Sequence, residues 1–300
     1  MGDLLSMDEP RRRIAAMLSG LDIRYDLGDR HPLLGRRTAI PWWNVVRRPG
    51  PPASHGRATR RHGREAGDTV ADMGDIVEFP SNGHGASGYL AVPESGSGPG
   101  LVVIQEYWGL VPHIKDVCDR FAVEGFVALA PDLFHGETTT EPDEAGKLMM
   151  AMNVDRAAQD LSGAVDLLLG HDAVTGTKVG ITGFCMGGGL ALVAACDRPD
   201  AYGAVVPWYG LIPWPDAEPD WTVLQAPVEG HFAGDDGFFT ADAARDLEDK
   251  LRKAGNAATL FIYEGVDHAF FNDTRPEVYD AEAAATAWGR TLDFLRTRLG

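Results

Sequence analysis

The sequence predicts an α/β fold: a mostly parallel β-sheet with helices on both faces. Three observations carry that expectation. From Met73 onward, short strand-like runs alternate with longer segments of helical periodicity, the order of a parallel sheet joined by crossover helices. The runs LVVIQ at 101–105 and FVALA at 126–130 are apolar without alternation, as strands buried on both faces are. The segment 155–169 sets Ala157, Leu161, Ala164, Val165 and Leu168 on one side of a helix, giving it an apolar stripe to lay on the sheet.

The elements follow in order. Strands at 76–79 and 88–92 flank the turn-forming pair Asn82-Gly83. Strand 101–105 precedes a helix at 113–124, which aligns Ile114, Val117 and Phe121 and stops at Gly125. Strand 126–130, helix 155–169 and strand 178–182 (KVGIT) come next, then a helix of small residues at 186–196. Strands at 203–207, 227–232 and 259–263, with helices at 241–254 and 279–299, complete the alternation. The sequence shows no internal repeat.

An apolar share of 44% in 300 residues supplies a sizeable core. No apolar run is long enough to cross a bilayer, so no membrane partner is expected. The N-terminus lacks the basic, apolar, small-residue order of a secretory signal. Cysteines at 118, 185 and 196 form no paired disulfide framework, which points to a reducing, cytoplasmic location. The net charge of −17 excludes nucleic acid as an expected partner, because phosphate binding needs a basic surface. Charge is unevenly spread. Residues 1–72 hold 13 Arg, no Lys and 9 acids, a net of +4, whereas residues 73–300 carry −21. The stretch 47–64, RRPGPPASHGRATRRHGR, is rich in Arg, Pro and Gly, so 1–72 is expected to be a disordered extension. Arg without Lys in that setting fits translation begun upstream of the true start. Residues 73–300 are the expected folded domain.

The strongest local signal is Gly183-Phe184-Cys185-Met186-Gly187-Gly188, between strand KVGIT and a helix. That is the setting of the G-x-S-x-G nucleophile elbow of α/β-hydrolases, with Cys in place of Ser. A sharp strand-to-helix turn holds the nucleophile in strained backbone geometry. It also aims the sulfur at a helix N-terminus, whose dipole and unpaired N–H groups favour the reactive thiolate. Cys118 and Cys196 lack such a context and read as core residues.

In this fold the nucleophile is followed along the chain by an acid and then a histidine. Asp236 follows strand 227–232 and His268 follows strand 259–263, both at the sheet edge where ligands bind. His268 is the expected proton carrier and Asp236 its orienting acid, with Asp235 the competing choice. Asp267 and His231 read as a solvated loop charge and a satisfied core group. The loop after LVVIQ, Glu106-Tyr107-Trp108-Gly109, nominates the backbone N–H of Tyr107 as one oxyanion donor and that of Met186 as the other. Glu106 stands where a carboxylate could face the thiol. No metal-ligand spacing and no nucleotide loop occur, so neither metal nor cofactor is expected.

These residues resemble the dienelactone hydrolase (carboxymethylenebutenolidase) family. The carriers are VVIQEYWG at 102–109, APDLFHG at 130–136, GFCMGG at 183–188, AGDDGFF at 233–239 and YEGVDHAF at 263–270, in the family's order. The resemblance implies an α/β-hydrolase fold, a triad of Cys185, His268 and Asp236, and oxyanion donors at Tyr107 and Met186. It also implies that Glu106 pairs with the resting thiol and is displaced by substrate. Such enzymes act without a cofactor, opening the lactone ester of a dienelactone to maleylacetate. The sequence departs from the family in the pocket. The stretch after His268 reads Phe270-Phe271-Asn272-Asp273, with no Arg before Arg275, and the pocket-forming helix at 143–150 also lacks Arg. A carboxylate needs a cation or several donors to replace its water, so the pattern points away from dienelactone itself. Trp108, Trp208, Tyr209, Phe238 and Phe270 are expected to ring the site and to suit an apolar or aromatic small-molecule ester or lactone. The expected protein is a monomer or small homo-oligomer. The competing reading is a non-catalytic ligand-binding or redox-sensing protein on the same fold.

Overall fold

The computed structural model describes residues 73–81, 83–212 and 217–300. The expected extension over 1–72 and the turn residue Asn82 lie outside them. The elements are β1 (Asp75–Ser81), β2 (His84–Ala91), β3 (Gly98–Ile104), α1 (Pro112–Val123), β4 (Val127–Pro131), α2 (Pro142–Ala151), α3 (Val154–Gly170), β5 (Val174–Phe184), α4 (Met186–Asp197), β6 (Tyr202–Trp208), β7 (Val228–Ala233), α5 (Ala241–Lys253), β8 (Ala258–Tyr263) and α6 (Ala281–Leu299). Eight strands form one sheet in the order β1-β2-β4-β3-β5-β6-β7-β8. β2 runs antiparallel to β1 and β4, and β4, β3, β5, β6, β7 and β8 are mutually parallel. At the β1–β2 turn, Ser81 pairs with His84 across two residues, with Gly83 at φ 91°.

The continuous apolar runs have the cause inferred from the sequence. In β3, Leu101 and Val103 pack into the layer containing residues of α1 and α6, while Val102 and Ile104 pack into the layer of α3, α4 and α5. Every alternate side chain therefore meets a core. Fully burying one such side chain stabilises by about 1.5–3 kcal/mol. α4 is buried nearly all round, as a helix of small and apolar residues between the sheet and its neighbours must be.

α2 is the helix that the resemblance implied at 143–150; periodicity does not reveal it because Ala145 is its one buried residue, too little to write an apolar stripe. One element departs from the sequence reading. β5 begins at Val174 rather than 178 because its polar, exposed first half pairs with the start of β3 across a register shift. Among the described residues no helix is long and apolar enough to cross a membrane. The carboxyl ends of the parallel strands share one edge, and the candidate residues stand there.

Candidate active site

Cys185 lies between the last residue of β5 and the first of α4, at φ 55° and ψ −121°. A non-glycine residue there is strained, at a cost of about 1–3 kcal/mol. Among the described residues three other non-glycines have positive φ: His135, Tyr209 and Ala269. Tyr209 directly follows β6 and Ala269 follows His268, so three of the four strained positions lie in loops at this edge. The elbow is held by close backbone approach. A Cβ on Gly187 would lie 2.6 Å from the Gln105 carbonyl oxygen and 2.7 Å from that of Ile104, closer than real Cβ contacts come. The Cys185 N–H donates to the Trp208 carbonyl at 3.0 Å.

Strand register sets the candidates side by side. Ile104 pairs with Gly183 and Phe184 pairs with Trp208. Glu106, Cys185 and Tyr209 thus leave three adjacent strands at one level. The loop carrying Glu106 and Tyr107 is anchored twice. Gln105 Oε1 accepts from the Leu133 N–H at 3.3 Å, and the Thr139 N–H donates to the Trp108 carbonyl at 3.1 Å. Met186 opens α4, where an amide has no carbonyl partner within its own helix.

His268 Nδ1 donates to Asp236 Oδ2 at 2.7 Å. Asp236 Oδ1 accepts from the Phe238 and Phe239 N–H groups at 2.7 and 3.0 Å, so the carboxylate is fixed at both oxygens. Asp236 is buried whereas Asp235 is exposed. His268 also lies in the field of Cys185. The His268 side chain is 19% exposed. Burial alone would lower its pKa, but the charge of Cys185, together with the hydrogen bond to Asp236 and the Asp236 charge, outweighs that and pushes it up to about 10. Asp267 is exposed, and His231 is buried between the Tyr263 and Thr291 hydroxyls at 3.0 and 2.8 Å. Cys118 and Cys196 are buried.

Glu106 is 1% exposed, not a solvated loop acid. Its Oε2 accepts from Asn272 Nδ2 at 2.9 Å, and its Oε1 has no hydrogen-bond partner among the described residues. The Tyr209 hydroxyl is drawn to that carboxylate, yet falls short of full hydrogen-bond geometry. Burial, then the charges of Glu106 and Cys185, push the phenol pKa well up.

The expected ring of aromatics is only partly a rim. Phe238, Phe239 and Tyr209 have ring centroids 5.5, 5.9 and 5.2 Å from His268. Trp208 does not stand on a loop. It is the last residue of β6 and is fully buried against Phe184, His231 and Phe271, because its inward register feeds the core layer below the elbow. Phe270 is likewise buried, against Tyr209 and Tyr263. The sequence reading passed over Phe239, Asn272 and Arg275. The Arg275 guanidinium lies 5.7 Å from the Trp108 ring centroid, and its charge reaches Tyr107 and Tyr209. Its Nε donates to Glu277 at 3.0 Å. A cation thus stands beside the site after all, seven residues beyond His268.

Among the described residues no three His, Cys, Asp or Glu side chains converge as metal ligands. Comparison with known proteins shows what the chain is similar to. Protein usf of Aquifex pyrophilus is 42% identical over 235 residues, which span 76% of this chain and all of that protein. A proposed carboxymethylenebutenolidase of Aquifex aeolicus is 37% identical over 238 residues, again 76% of this chain and all of the relative. The crystal structure of a proposed dienelactone hydrolase from Klebsiella pneumoniae superposes with a TM-score of 0.66 at 29% identity, covering 74% of this chain and 98% of that one. The model of the dienelactone hydrolase family matches residues 86–299; the chain belongs to that family of α/β-hydrolase-fold enzymes and is a hydrolase of the carboxylic ester and lactone class.

Proposed function

We propose that this hydrolase works through a Cys185–His268–Asp236 triad and a thioacyl-enzyme. The supporting observation is the imidazole of His268, hydrogen-bonded to a buried carboxylate and close enough to Cys185, at its strained elbow, for the two charges to couple. The Cys185 thiol gives its proton to His268 as the sulfur attacks the ester carbonyl carbon, and the oxygen that gains charge is held by the N–H groups of Tyr107 and Met186. The tetrahedral adduct collapses, the C–O bond breaks, and the leaving oxygen takes the proton of His268. Water then attacks the thioester, His268 receives its proton, and the carboxylic acid departs as the thiol is restored. Asp236 keeps the imidazole in one orientation throughout.

Arg275 beside Trp108 supports an ester or lactone with a flat apolar body and an anionic substituent. That revises the expectation drawn from the missing arginines. A cytoplasmic protein fits the unpaired cysteines.

The test is hydrolysis of p-nitrophenyl acetate and of p-nitrophenyl hemisuccinate by wild type, Cys185→Ala and His268→Ala. Turnover of both esters falls by roughly 10³ or more in either variant. Arg275→Gln raises KM for the hemisuccinate about 10-fold or more, the loss of a charge-assisted hydrogen bond, and leaves the acetate ester unchanged. Turnover that survives Cys185→Ala would remove the mechanism.

A further inference from the structure

Glu106 has two carboxylate oxygens in a dry setting, and they are treated differently. The donor to Oε2 is fixed in identity as well as place. Asn272 Oδ1 accepts from the Thr274 N–H at 3.2 Å and the Thr274 hydroxyl at 2.6 Å, so the amide must present its Nδ2 to Glu106. Oε1 is buried with no partner among the described residues, and the Tyr209 hydroxyl, close to the same carboxylate, is also buried with none. A buried acceptor and a buried donor left unpaired each cost about 1–3 kcal/mol, and a small rotation of either group joins them.

Tyr209 has little freedom to do otherwise. It is fully buried, strained at φ 35°, and edge-on to His268 and Phe270 at 5.2 and 5.4 Å. Its backbone N–H donates to the His231 carbonyl at 2.6 Å. A Cβ on the following Gly210 would collide with the Cys185 carbonyl, so the strand end carrying Tyr209 is pressed against the elbow itself. The phenol is therefore delivered by the sheet into the field of both Glu106 and Cys185.

We propose that Tyr209 is a positioning residue whose hydroxyl completes, with Asn272, a two-donor cradle for the Glu106 carboxylate and thereby sets how that carboxylate is presented to Cys185. With both oxygens engaged, the carboxylate is held away from competing for the thiol proton. Without Tyr209, Oε1 turns to the remaining neighbouring donor, the Cys185 S–H, and the thiol is held in its unreactive form. The other titratable or charged groups whose fields reach this cluster are Tyr107, His113, His268 and Arg275.

This inference rests on Cys185 as the nucleophile, and its test reads the thiol directly. The rate of Cys185 alkylation by iodoacetamide is followed against pH by mass spectrometry in wild type, Tyr209→Phe, Glu106→Gln and the double variant. Tyr209→Phe keeps the ring and removes a hydroxyl that makes no full hydrogen bond, so the fold is retained. The midpoint of its alkylation profile moves up by about half to one pH unit, the size of one hydrogen bond to a carboxylate. In the Glu106→Gln background the same change moves it by less than about 0.2 unit, since there is no charge left to position. No shift in Tyr209→Phe, or an equal shift in both backgrounds, overturns the proposal. Absence of ester turnover in wild type, with the alkylation coupling intact, would instead count against the proposed function alone.

Discussion

Asp235 and Asp236 are neighbours with the same side chain, and their surroundings separate them. Asp236 is buried, accepts two backbone N–H groups and holds His268, whereas Asp235 is exposed. Asp236→Asn should therefore cost roughly 10²–10⁴ in kcat, because an amide cannot hold the imidazole in the productive orientation. Asp235→Asn should stay within about twofold. Steady-state kinetics on p-nitrophenyl acetate decides it, and comparable losses in the two variants would contradict the assignment. The placement of Cys185, Asp236 and His268 at one edge was legible because each follows its own predicted strand. Asn272 and Arg275 were not legible, for a physical reason. Both lie on a loop folded back on itself by Asn272 N–H to the Ala269 carbonyl, Arg275 N–H to the Asn272 carbonyl and Asp280 N–H to the Phe270 carbonyl. No periodicity reports such a turn. The sequence reading noted that no arginine follows His268 before Arg275, but had no means to see where the fold places Arg275.

At the scale of elements, the same glycine means different things in different helices. Gly187 in α4 meets the Ile104 and Gln105 carbonyls, while nothing lies within 4 Å of a Cβ built on Gly146 in α2. Gly187→Ala should destabilise by about 1–3 kcal/mol or more, through backbone overpacking, and should displace the elbow. Gly146→Ala should stabilise by about 0.5–1 kcal/mol, the helix preference of Ala over Gly. Urea unfolding midpoints with unchanged slopes measure both, and a neutral Gly187→Ala would mean the elbow is looser than these distances imply. This contrast also explains which elements the sequence reveals. β3 and β4 are apolar on both faces because each face meets its own core layer, so their runs are unmistakable. α2 has Ala145 as its one buried residue and lays only the partly buried Leu148 and Met149 on the core, and half of β5 is solvated; an element that buries little writes little into its sequence.

Across the whole molecule, buried ionisable groups set opposing limits on stability with pH. His231 is fully buried, and burial lowers its pKa from 6.5 to about 3. Its unfolded form binds a proton that the folded form rejects, so its contribution is present above pH 6.5 and is lost as pH falls through 3. Burial lowers the pKa of His113 too, with the same sign. His268 is opposite. Raised from 6.5 to about 10 by Cys185 and Asp236 against the pull of burial, it stabilises fully below pH 6.5 and loses that contribution as pH rises through 10. Glu229, raised from 4.5 to about 7 mainly by burial, acts in the same direction over the lower window between those values. Its side chain is partly solvated, so water screens much of its effect. Stability should therefore fall on both sides of a maximum near pH 6, with slopes of at most about 1.4 kcal/mol per pH unit for each proton involved. His268→Gln isolates the alkaline side, because it removes the raised titration and leaves His231 untouched. Urea unfolding at intervals between pH 3 and 10 should show the wild-type decline above pH 7 flattened in the variant, while the acid limb below pH 5 is unchanged. An alkaline decline of the same steepness in both proteins would mean that His268 holds no such proton in the folded state, and the pairing of a protonated His268 with Cys185 at the elbow would have to be abandoned with it.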